Sequence, residues 1–152
     1  MTDKQFLQQA IALARRNIEN GGRPFGAVIV KDGNIISEGV NQMAELNDPT
    51  AHAELLALRH AGQALGQTRL EGCVVYASGQ PCPMCLAAMR MAGITQAVYA
   101  YSNADAQPYG LSTEVIAVAL RADPHEQAGF SFTQQKPDDE PSLYAQWQAH
   151  QH

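Results

Sequence analysis

The cysteine pair in the stretch "QPCPMC" (residues 80–85) places the strongest constraint on what this chain can fold into. Cys82 and Cys85 are three positions apart, and Pro83 between them suits the first turn of a helix. If a helix begins there, both sulfur atoms lie on one side of its N-terminal end, where free backbone N–H groups and the helix dipole stabilise thiolates. Such a pair is half of a zinc site, so the fold must bring a further ligand to this helix end.

A histidine and a glutamate about thirty residues upstream supply what the cysteine pair lacks. The stretch "DPTAHAEL" (residues 48–55) leads into a predicted helix over residues 49–65, with Asp48 as its N-cap. From the start of that helix, His52 completes a His/Cys/Cys ligand set. Glu54, two residues past His52, can approach the metal without ligating it.

The other histidines are not expected to close the site with a fourth protein ligand. His60 is eight residues beyond His52, so on one helix it lies roughly 12 Å away at about 1.5 Å per residue. Nothing in their spacing recommends the remaining three, His125, His150 and His152. The fourth position is therefore assigned to water, whose pKa an open zinc site lowers towards neutrality. Glu54 is predicted to take a proton from that water and pass it to the substrate and the leaving group.

Composition and charge exclude several classes of protein. The 152 residues fit one domain, and 45% hydrophobic with 16% charged residues is typical of a globular protein. A net charge of −5 and the lack of a basic cluster argue against a nucleic-acid partner. The sequence shows neither a signal-peptide pattern nor the roughly 20 apolar residues of a membrane helix. Three cysteines favour metal or catalytic use in a reducing compartment, so a cytoplasmic location is expected.

Helix and strand patterns alternate along the chain. Helices are predicted at residues 3–19, 49–65, 83–93, 112–121 and 142–150. The predicted strands are "FGAVIV" and "NIISEGV", which form a hairpin about "KDG", then "CVVYAS", "AVYAY" and, at residues 130–133, "FSFT". These elements predict an α/β fold of three layers, in which a central mixed five-stranded sheet carries helices on both faces.

The two stretches that carry the chemistry also carry a family resemblance. They read His52-Ala53-Glu54 and Pro81-Cys82-Pro83-Met84-Cys85, which is the H-x-E and P-C-x-x-C pattern of zinc nucleobase deaminases. The chain resembles the cytidine-deaminase-like superfamily and is similar, within it, to the small bacterial guanine deaminases through "RPFGAVIVKDG", "EGVNQ", "NDPTAHAE" and "PCPMC". The resemblance covers residues 1–149 and implies a single cytidine-deaminase-like domain over residues 1–152, with one Zn²⁺ per chain. The implied reaction is hydrolytic deamination of a free nucleobase, guanine or a related 2-amino-4-oxo ring such as isocytosine.

The resemblance also implies a role for individual residues. His52, Cys82 and Cys85 are the implied zinc ligands, and Glu54 is the implied proton shuttle. On the substrate side, the implied contacts are a hydrogen bond from the Asn41 amide, ring packing by Phe25 and the backbone N–H of Ala53. In the relatives the C-terminal segment closes over the active site, commonly that of the partner subunit in a swapped dimer. A homodimer is therefore expected here, with residues 136–152, including Tyr144 and Trp147, as the closing segment.

The chain departs from the guanine deaminase pattern at several positions. Gln80 stands where the group often has Glu, and Met91 is near the place of a Trp in the pocket wall. Ser112 and Thr113 occupy the positions where an acidic residue is expected. Either Glu114, one residue later, pairs with the amino and ring N–H groups of a 2-amino-4-oxo base, or the pocket reads another base.

Other interpretations of the same residues remain open. The substrate could be cytosine, a nucleoside or adenosine in tRNA, and the cysteine pair could belong to a non-catalytic zinc-binding or thiol-redox module. His52 and Phe25 could be core residues, and Glu114 a solvated carboxylate near a helix start. Tyr144 and Trp147, three residues apart, are also typical of a helix packing face. Cys73, which opens an apolar strand, is interpreted as a core residue.

Overall fold

A computed structural model of the chain describes residues 1–151; His152, which the sequence does not recommend as a ligand, lies outside the described residues. The strands are β1 Gly26–Lys31, β2 Asn34–Val40, β3 Cys73–Gly79 and β4 Ala97–Tyr101. The α-helices are α1 Asp3–Glu19, α2 Met43–Leu46, α3 Ala53–Leu65, α4 Pro83–Met91, α5 Asn103–Ala106, α6 Glu114–Ala119 and α7 Leu143–Ala149. Short 3₁₀ turns lie at Gln107–Tyr109 and Pro124–Glu126.

The sheet is mixed, as predicted, with the strand order β2-β1-β3-β4. β1 is antiparallel to both β2 and β3, whereas β3 and β4 are parallel. The hairpin turn between β1 and β2 uses Asp32 and Gly33, both with positive φ angles, 51° and 79°. This is the backbone conformation in which an Asp-Gly pair joins two antiparallel strands without splaying them. The hairpin prediction is therefore confirmed.

The prediction of five strands is wrong, because the sheet within the described residues has four. The stretch "FSFT" at residues 130–133 is not a strand. Its alternating phenylalanines imitate the period of a strand, but their rings pack locally. The ring of Phe132 lies 4.9 Å from that of His125 and 6.3 Å from that of Phe130, measured between centroids.

Helices cover both faces of the sheet, which confirms the three-layer arrangement. Side chains alternate along β1, so Val28 and Val30 point to one face and Ala27 and Ile29 to the other. The first face packs against α1 through a cluster that also contains Phe6, Leu13 and Tyr76. The second face packs against α3 and α4, in a cluster that includes Ala57, Val75, Cys85 and Met89.

Two glycines on neighbouring strands let these helices approach the sheet closely. A Cβ atom at Gly39 in β2 would lie 2.6 Å from the backbone nitrogen of Ala57 and still nearer to the carbonyl oxygen of Ala53. A Cβ atom at Gly26 in β1 would lie 2.8 Å from the backbone nitrogen of Ala14 in α1. Only glycine leaves room for backbone to meet backbone at these two places.

Helix α3 begins later than predicted. Its first residue is Ala53 and its N-cap is His52, so neither Asp48 as N-cap nor a start at residue 49 is correct. The Asp48 carboxylate instead accepts hydrogen bonds from the backbone nitrogen of Thr50 at 2.8 Å and from its hydroxyl at 2.7 Å. An aspartate that closes its own turn in this way is not available to cap a helix.

The other helix predictions are largely confirmed. Helix α1 has the predicted bounds, whereas α4 ends at Met91, two residues before the predicted end at Gly93. The short helices α2 and α5 were not predicted. The chain forms two compact units, Met1–Val118 and a smaller one from Ala119 onward. In the smaller unit, the Ser142 hydroxyl caps α7 by accepting from the backbone nitrogen of Ala145 at 3.3 Å. None of the helices in the described part of the chain is both long and apolar enough to cross a membrane.

Candidate active site

The N-terminal ends of α3 and α4 meet on one face of the sheet. His52 is the N-cap of α3 and Cys82 is the N-cap of α4, both with extended backbone. Pro83 occupies the first turn of α4, as predicted, and Cys85 follows in that turn. The fold therefore brings together the three side chains that the sequence proposed as ligands, and both helix dipoles present their positive ends to them.

The three ligand atoms form a small triangle. Cys82 Sγ lies 3.5 Å from His52 Nδ1 and 3.6 Å from Cys85 Sγ, and Cys85 Sγ lies 3.6 Å from His52 Nδ1. A tetrahedral zinc ion with bonds of about 2.3 Å to sulfur and about 2.0–2.1 Å to nitrogen requires about 3.8 Å between two sulfurs and about 3.6 Å between sulfur and nitrogen. The observed distances fit these values within the usual tolerance of about 0.2 Å. Among the described residues, this is the only group of three or more such side chains close enough to share an ion.

The electrostatics of the cysteine pair also suit a cation. A hydrogen bond from Cys85 lowers the pKa of the Cys82 thiol to about 4, against an opposing effect of burial and with further help from His52. The same contact and its own burial raise the pKa of Cys85. Two thiolates 3.6 Å apart would repel each other, which favours a single proton shared by the pair. A divalent cation held by the three side chains would offset that repulsion and favour the deprotonated form of both thiols.

Glu54 lies in the first turn of α3 and is buried, with 7% of its surface exposed. Burial raises the pKa of its carboxyl, and a hydrogen bond with the Cys85 thiol partly opposes that rise. Desolvation favours the neutral acid, so the group can exist in either protonation state closer to neutral pH than an exposed glutamate. A carboxyl of this kind beside a metal site suits proton transfer in both directions.

A cavity of about 140 Å³ opens beside this cluster. It is lined by the predicted residues Phe25, Asn41, His52, Ala53, Glu54 and Cys82, and also by Arg23, Met43, Gly79, Gln80, Leu111 and Thr113. Most of the residues that the sequence proposed for metal binding, proton transfer and substrate contact therefore share one small space.

The orientation of the Asn41 amide is set by its neighbours. Asn41 is buried, with 6% of its surface exposed, and its Oδ1 accepts a hydrogen bond from the backbone nitrogen of Met43 at 3.1 Å. Because a backbone N–H is only a donor, the amide must present its oxygen there. The Nδ2 group has no hydrogen-bond partner within residues 1–151, so it can donate two hydrogen bonds to a ligand in the cavity.

Comparison with known proteins decides the family. A family model described as the cytidine and deoxycytidylate deaminase zinc-binding region matches residues 1–101. The chain is 46% identical over 117 residues to the guanine deaminase of Bacillus subtilis, a match that covers 76% of this chain and 75% of that protein. The chain belongs to the cytidine and deoxycytidylate deaminase family.

Two further relatives extend this result. A crystal structure of the Bacillus subtilis guanine deaminase superposes with a TM-score of 0.89 at 39% identity, covering 99% of this chain and 96% of that one. A tRNA-specific adenosine deaminase from Aquifex aeolicus is 43% identical over 99 residues, which is 65% of this chain and 66% of that protein. Membership of this deaminase family confirms the predicted zinc cofactor, and the protein is a zinc-dependent aminohydrolase that acts on a nucleobase.

Two of the departures from the guanine deaminase pattern, Gln80 and Thr113, line the deaminase cavity and are joined by a hydrogen-bond network. Gln80 Oε1 accepts from the backbone nitrogen of Asn103 at 2.9 Å, and Asn103 Oδ1 accepts from the backbone nitrogen of Thr113 at 3.3 Å. Gln80 therefore fixes the segment that carries Thr113, a role that the sequence did not suggest. The Thr113 hydroxyl is buried and has no hydrogen-bond partner among the described residues.

Glu114 and Met91 lie away from the deaminase cavity. Glu114 is exposed, does not line the cavity, and accepts a hydrogen bond from Asn103 Nδ2 at 3.4 Å. Met91 is 80% exposed and is likewise not among the lining residues. The predicted contact between Glu114 and the substrate stays a prediction, as does that of Tyr144, which belongs to the smaller unit and is 82% exposed.

The remaining cysteine and the other described histidines lie outside the ligand cluster. Cys73 is a core residue with 2% exposure. The other described histidines are not part of the ligand cluster: His60 Nδ1 lies 2.8 Å from the carbonyl oxygen of Glu38, His125 Nδ1 lies 3.2 Å from Asp123, and His150 Nδ1 lies 2.8 Å from the carbonyl oxygen of Gln146.

Proposed function

We propose that this deaminase converts free guanine, or a related 2-amino-4-oxo ring such as isocytosine, by hydrolysis to the corresponding oxo base and ammonia. The observation that carries the proposal is that one small cavity is lined by two members of the His/Cys/Cys triangle, by the buried Glu54 and by Asn41. Its volume of about 140 Å³ is below the roughly 300–1,000 Å³ of sites for larger ligands, which favours a free base over a nucleoside. The identity with a guanine deaminase supports the choice of base.

In the proposed mechanism, His52, Cys82 and Cys85 would hold one zinc ion, which supplies the Lewis acidity that makes water nucleophilic near neutral pH. The Glu54 carboxylate accepts a proton from the water whose oxygen bonds to C2 of the base. It donates that proton to the adjacent ring nitrogen and then carries the second water proton to the amino group. The bond between C2 and the amino nitrogen breaks, and xanthine and ammonia are released from guanine and water. Because Glu54 ends each cycle as it began, no further reactant is required.

On the substrate side, Asn41 is proposed to donate from Nδ2 to an acceptor on the base, a carbonyl oxygen or an unprotonated ring nitrogen. The ring of Phe25 lies against Gly79: a Cβ atom added at Gly79 would lie 3.2 Å from that ring. Phe25 is proposed to pack on the face of the base. The backbone N–H of Ala53 is proposed as a further donor. Glu114 is proposed to pair with the amino and ring N–H groups, which requires it to approach the base when substrate binds.

The C-terminal segment, residues 136–152, is proposed to close over the active site, with Tyr144 contacting the substrate. We also propose a homodimer, in which this segment of one chain covers the site of the other. The exposed aromatic side chains of α7, Tyr144 at 82% and Trp147 at 63%, support a role in contact with another surface. A monomer mass in light scattering at micromolar concentration would contradict the dimer. A cytoplasmic location, favoured by three cysteines that form no disulfide, is tested by cell fractionation.

The deciding experiment measures ammonia release by purified, zinc-loaded protein on guanine, isocytosine, cytosine, adenine, guanosine and cytidine. Glu54→Gln is the matched control, because it keeps the size of the side chain and removes the titratable group. We expect turnover of guanine or isocytosine by the wild-type protein, and zinc retained without turnover in the variant. Turnover of a different base alone would refute the proposed substrate and leave the mechanism. Retained zinc with no ammonia from any substrate would favour a non-catalytic zinc-binding module.

A second candidate function is deamination of adenosine in tRNA. The observation that favours it is the 43% identity with the Aquifex aeolicus tRNA-specific adenosine deaminase. The net charge of −5 counts against a polyanionic substrate. Formation of inosine in a tRNA anticodon stem-loop, weakened by added salt, would establish this activity in place of the free-base activity.

A further inference from the structure

We infer that Asn17 is a positioning residue that holds the base-binding side of the cavity, an inference that rests on the proposed role of Asn41. Asn17 lies near the C-terminal end of α1 and is buried, with 8% of its surface exposed. Its Nδ2 group donates to the carbonyl oxygen of Arg23 at 2.8 Å and to that of Asn41 at 3.0 Å. One amide therefore joins α1 to two separate segments of the chain.

Both of these segments line the deaminase cavity. Arg23 and Phe25 belong to the first, and Asn41 and Met43 to the second. The backbone nitrogen of Asn41 donates to the carbonyl oxygen of Phe25 at 3.2 Å, which links the two segments directly. Asn17 thus secures the backbone that carries the proposed hydrogen-bond donor and the proposed ring contact.

The surroundings of Asn17 fix its amide in one orientation. The backbone nitrogen of Gly22 donates to the backbone carbonyl oxygen of Asn17 at 2.8 Å, which holds the segment after α1 against this residue. A Cβ atom at Gly22 would lie 2.8 Å from Asn17 Cγ, so the chain passes directly over the amide. Two carbonyl oxygens on one side require an NH₂ group, which provides two donors. Neither a carboxylate nor an aliphatic side chain can replace it there.

The proposed metal ligands His52, Cys82 and Cys85 lie outside the two segments that Asn17 joins. His52 and Cys82 are held by α3 and α4, which pack on the face of the sheet opposite to α1. Loss of the Asn17 amide should therefore misplace Asn41 and Phe25 while the zinc site and Glu54 keep their geometry. The expected result is weaker binding of the base with little change in zinc content or in the rate of the chemical step.

The test compares Asn17→Asp and Asn17→Leu with a control variant in β3, Tyr76→Phe, which removes a different hydrogen bond to α1. The Tyr76 hydroxyl donates to Asp3 Oδ1 at 2.6 Å near the start of α1, far along the helix from Asn17. The Phe variant removes one part-buried hydrogen bond between α1 and the sheet, and Tyr76 is not among the residues that line the cavity. The melting temperature of each protein is determined first. Steady-state rates and zinc per chain are then measured well below that temperature. The dissociation constant of guanine is measured by calorimetry in a Glu54→Gln background, where no turnover occurs.

For both Asn17 variants we expect KM and the dissociation constant to rise about tenfold, the effect of losing roughly one good hydrogen bond. We expect kcat within about threefold of wild type and zinc content unchanged, and unchanged KM in Tyr76→Phe. Unchanged KM in the Asn17 variants, or a loss of zinc that parallels their loss of activity, would overturn the inference while the proposed function stands. If the wild-type protein turns over a different base, that base replaces guanine in the same assay. If it neither binds nor deaminates any base, the proposed function fails and this inference fails with it.

Discussion

The substitution Gly39→Ala tests how tightly the start of α3 must lie against the sheet for the active site to work. In β2, a Cβ atom at this position would lie 2.6 Å from the backbone nitrogen of Ala57, whereas ordinary contact begins at 3.4 Å. The difference requires α3 to move by at least about 0.8 Å, since the atoms it would meet are backbone and cannot rotate away. The nearest of these atoms is the carbonyl oxygen of Ala53, the residue between His52 and Glu54.

The same displacement therefore acts on stability and on chemistry. Overpacking of this kind costs about 1–3 kcal/mol, which for a chain of this size lowers the melting temperature by about 2–4 °C per kcal/mol. A shift of about 1 Å in a catalytic group lowers the rate by up to about 100-fold. We expect Gly39→Ala to bind zinc more weakly, because His52 moves relative to the two sulfur atoms, and to lose most of its kcat.

The control is Gly26→Ala, which makes the same change on the neighbouring strand. There the added Cβ atom would lie 2.8 Å from the backbone nitrogen of Ala14, so the helix that must move is α1. Thermal denaturation, competition for zinc by a chelator and ammonia release are measured for both variants. Both should lose stability, and only Gly39→Ala should lose zinc affinity and kcat together. Wild-type zinc affinity in Gly39→Ala, or equal loss of zinc in Gly26→Ala, would refute this reasoning.

Three further outcomes are expected. Thr113→Val replaces a buried hydroxyl that has no hydrogen-bond partner in the described part of the chain. The free energy of unfolding should stay unchanged or rise by up to about 1 kcal/mol. A clear loss of stability in urea unfolding would show that the hydroxyl has a partner. Burial and the hydrogen bond to Asp3 raise the pKa of Tyr76 to about 12, so the folded state prefers the protonated phenol. The resulting stability is complete below the ordinary pKa of about 10 and is lost as the pH rises from there towards 12; urea unfolding should show the advantage of wild type over Tyr76→Phe shrinking across this range, and a pH-independent difference would contradict it. Removal of zinc by a chelator should lower the melting temperature of the wild type, because the ion binds the folded state. The melting temperature of Cys85→Ser should fall less, since that variant lacks one proposed ligand. Equal shifts of the melting temperature in both proteins would count against the proposed ligand set.

Predictions from the sequence succeed here where the structure depends on neighbouring residues. Pro83 predicts the start of the helix that positions Cys82 and Cys85. The Asp32-Gly33 turn is predicted by two residues that accept positive φ angles. The start of α3 is missed because the Asp48 side chain can either cap a helix or close its own turn, and a single sequence does not decide between the two. The prediction of a fifth strand at residues 130–133 is wrong for a related reason. Alternating phenylalanines are compatible both with a strand and with a local aromatic cluster.

The hydrogen bonds of the buried Asn17 and Asn103 could not be predicted from the sequence, because their partners are far away in the chain. Asn17 bonds to a carbonyl 24 residues later, and the backbone nitrogen of Asn103 bonds to a side chain 23 residues earlier. The one local signal for Asn17 is that it continues the buried face of α1 after Phe6, Ala10, Leu13 and Ala14. A polar residue on an apolar helix face indicates a specific partner, but it does not identify that partner.

Separate supports for the two sides of the cavity have a consequence for how this protein can change over evolution. The proposed metal ligands and Glu54 are carried by the starts of α3 and α4. The other walls of the cavity are irregular segments, held by the hydrogen bonds of Asn17 and by the link from Gln80 through Asn103. Substitutions in those segments can reshape the contacts to a substrate without disturbing the reactive groups. A single ancestral framework of this kind can therefore acquire new base preferences in small steps, each of which keeps the chemistry intact.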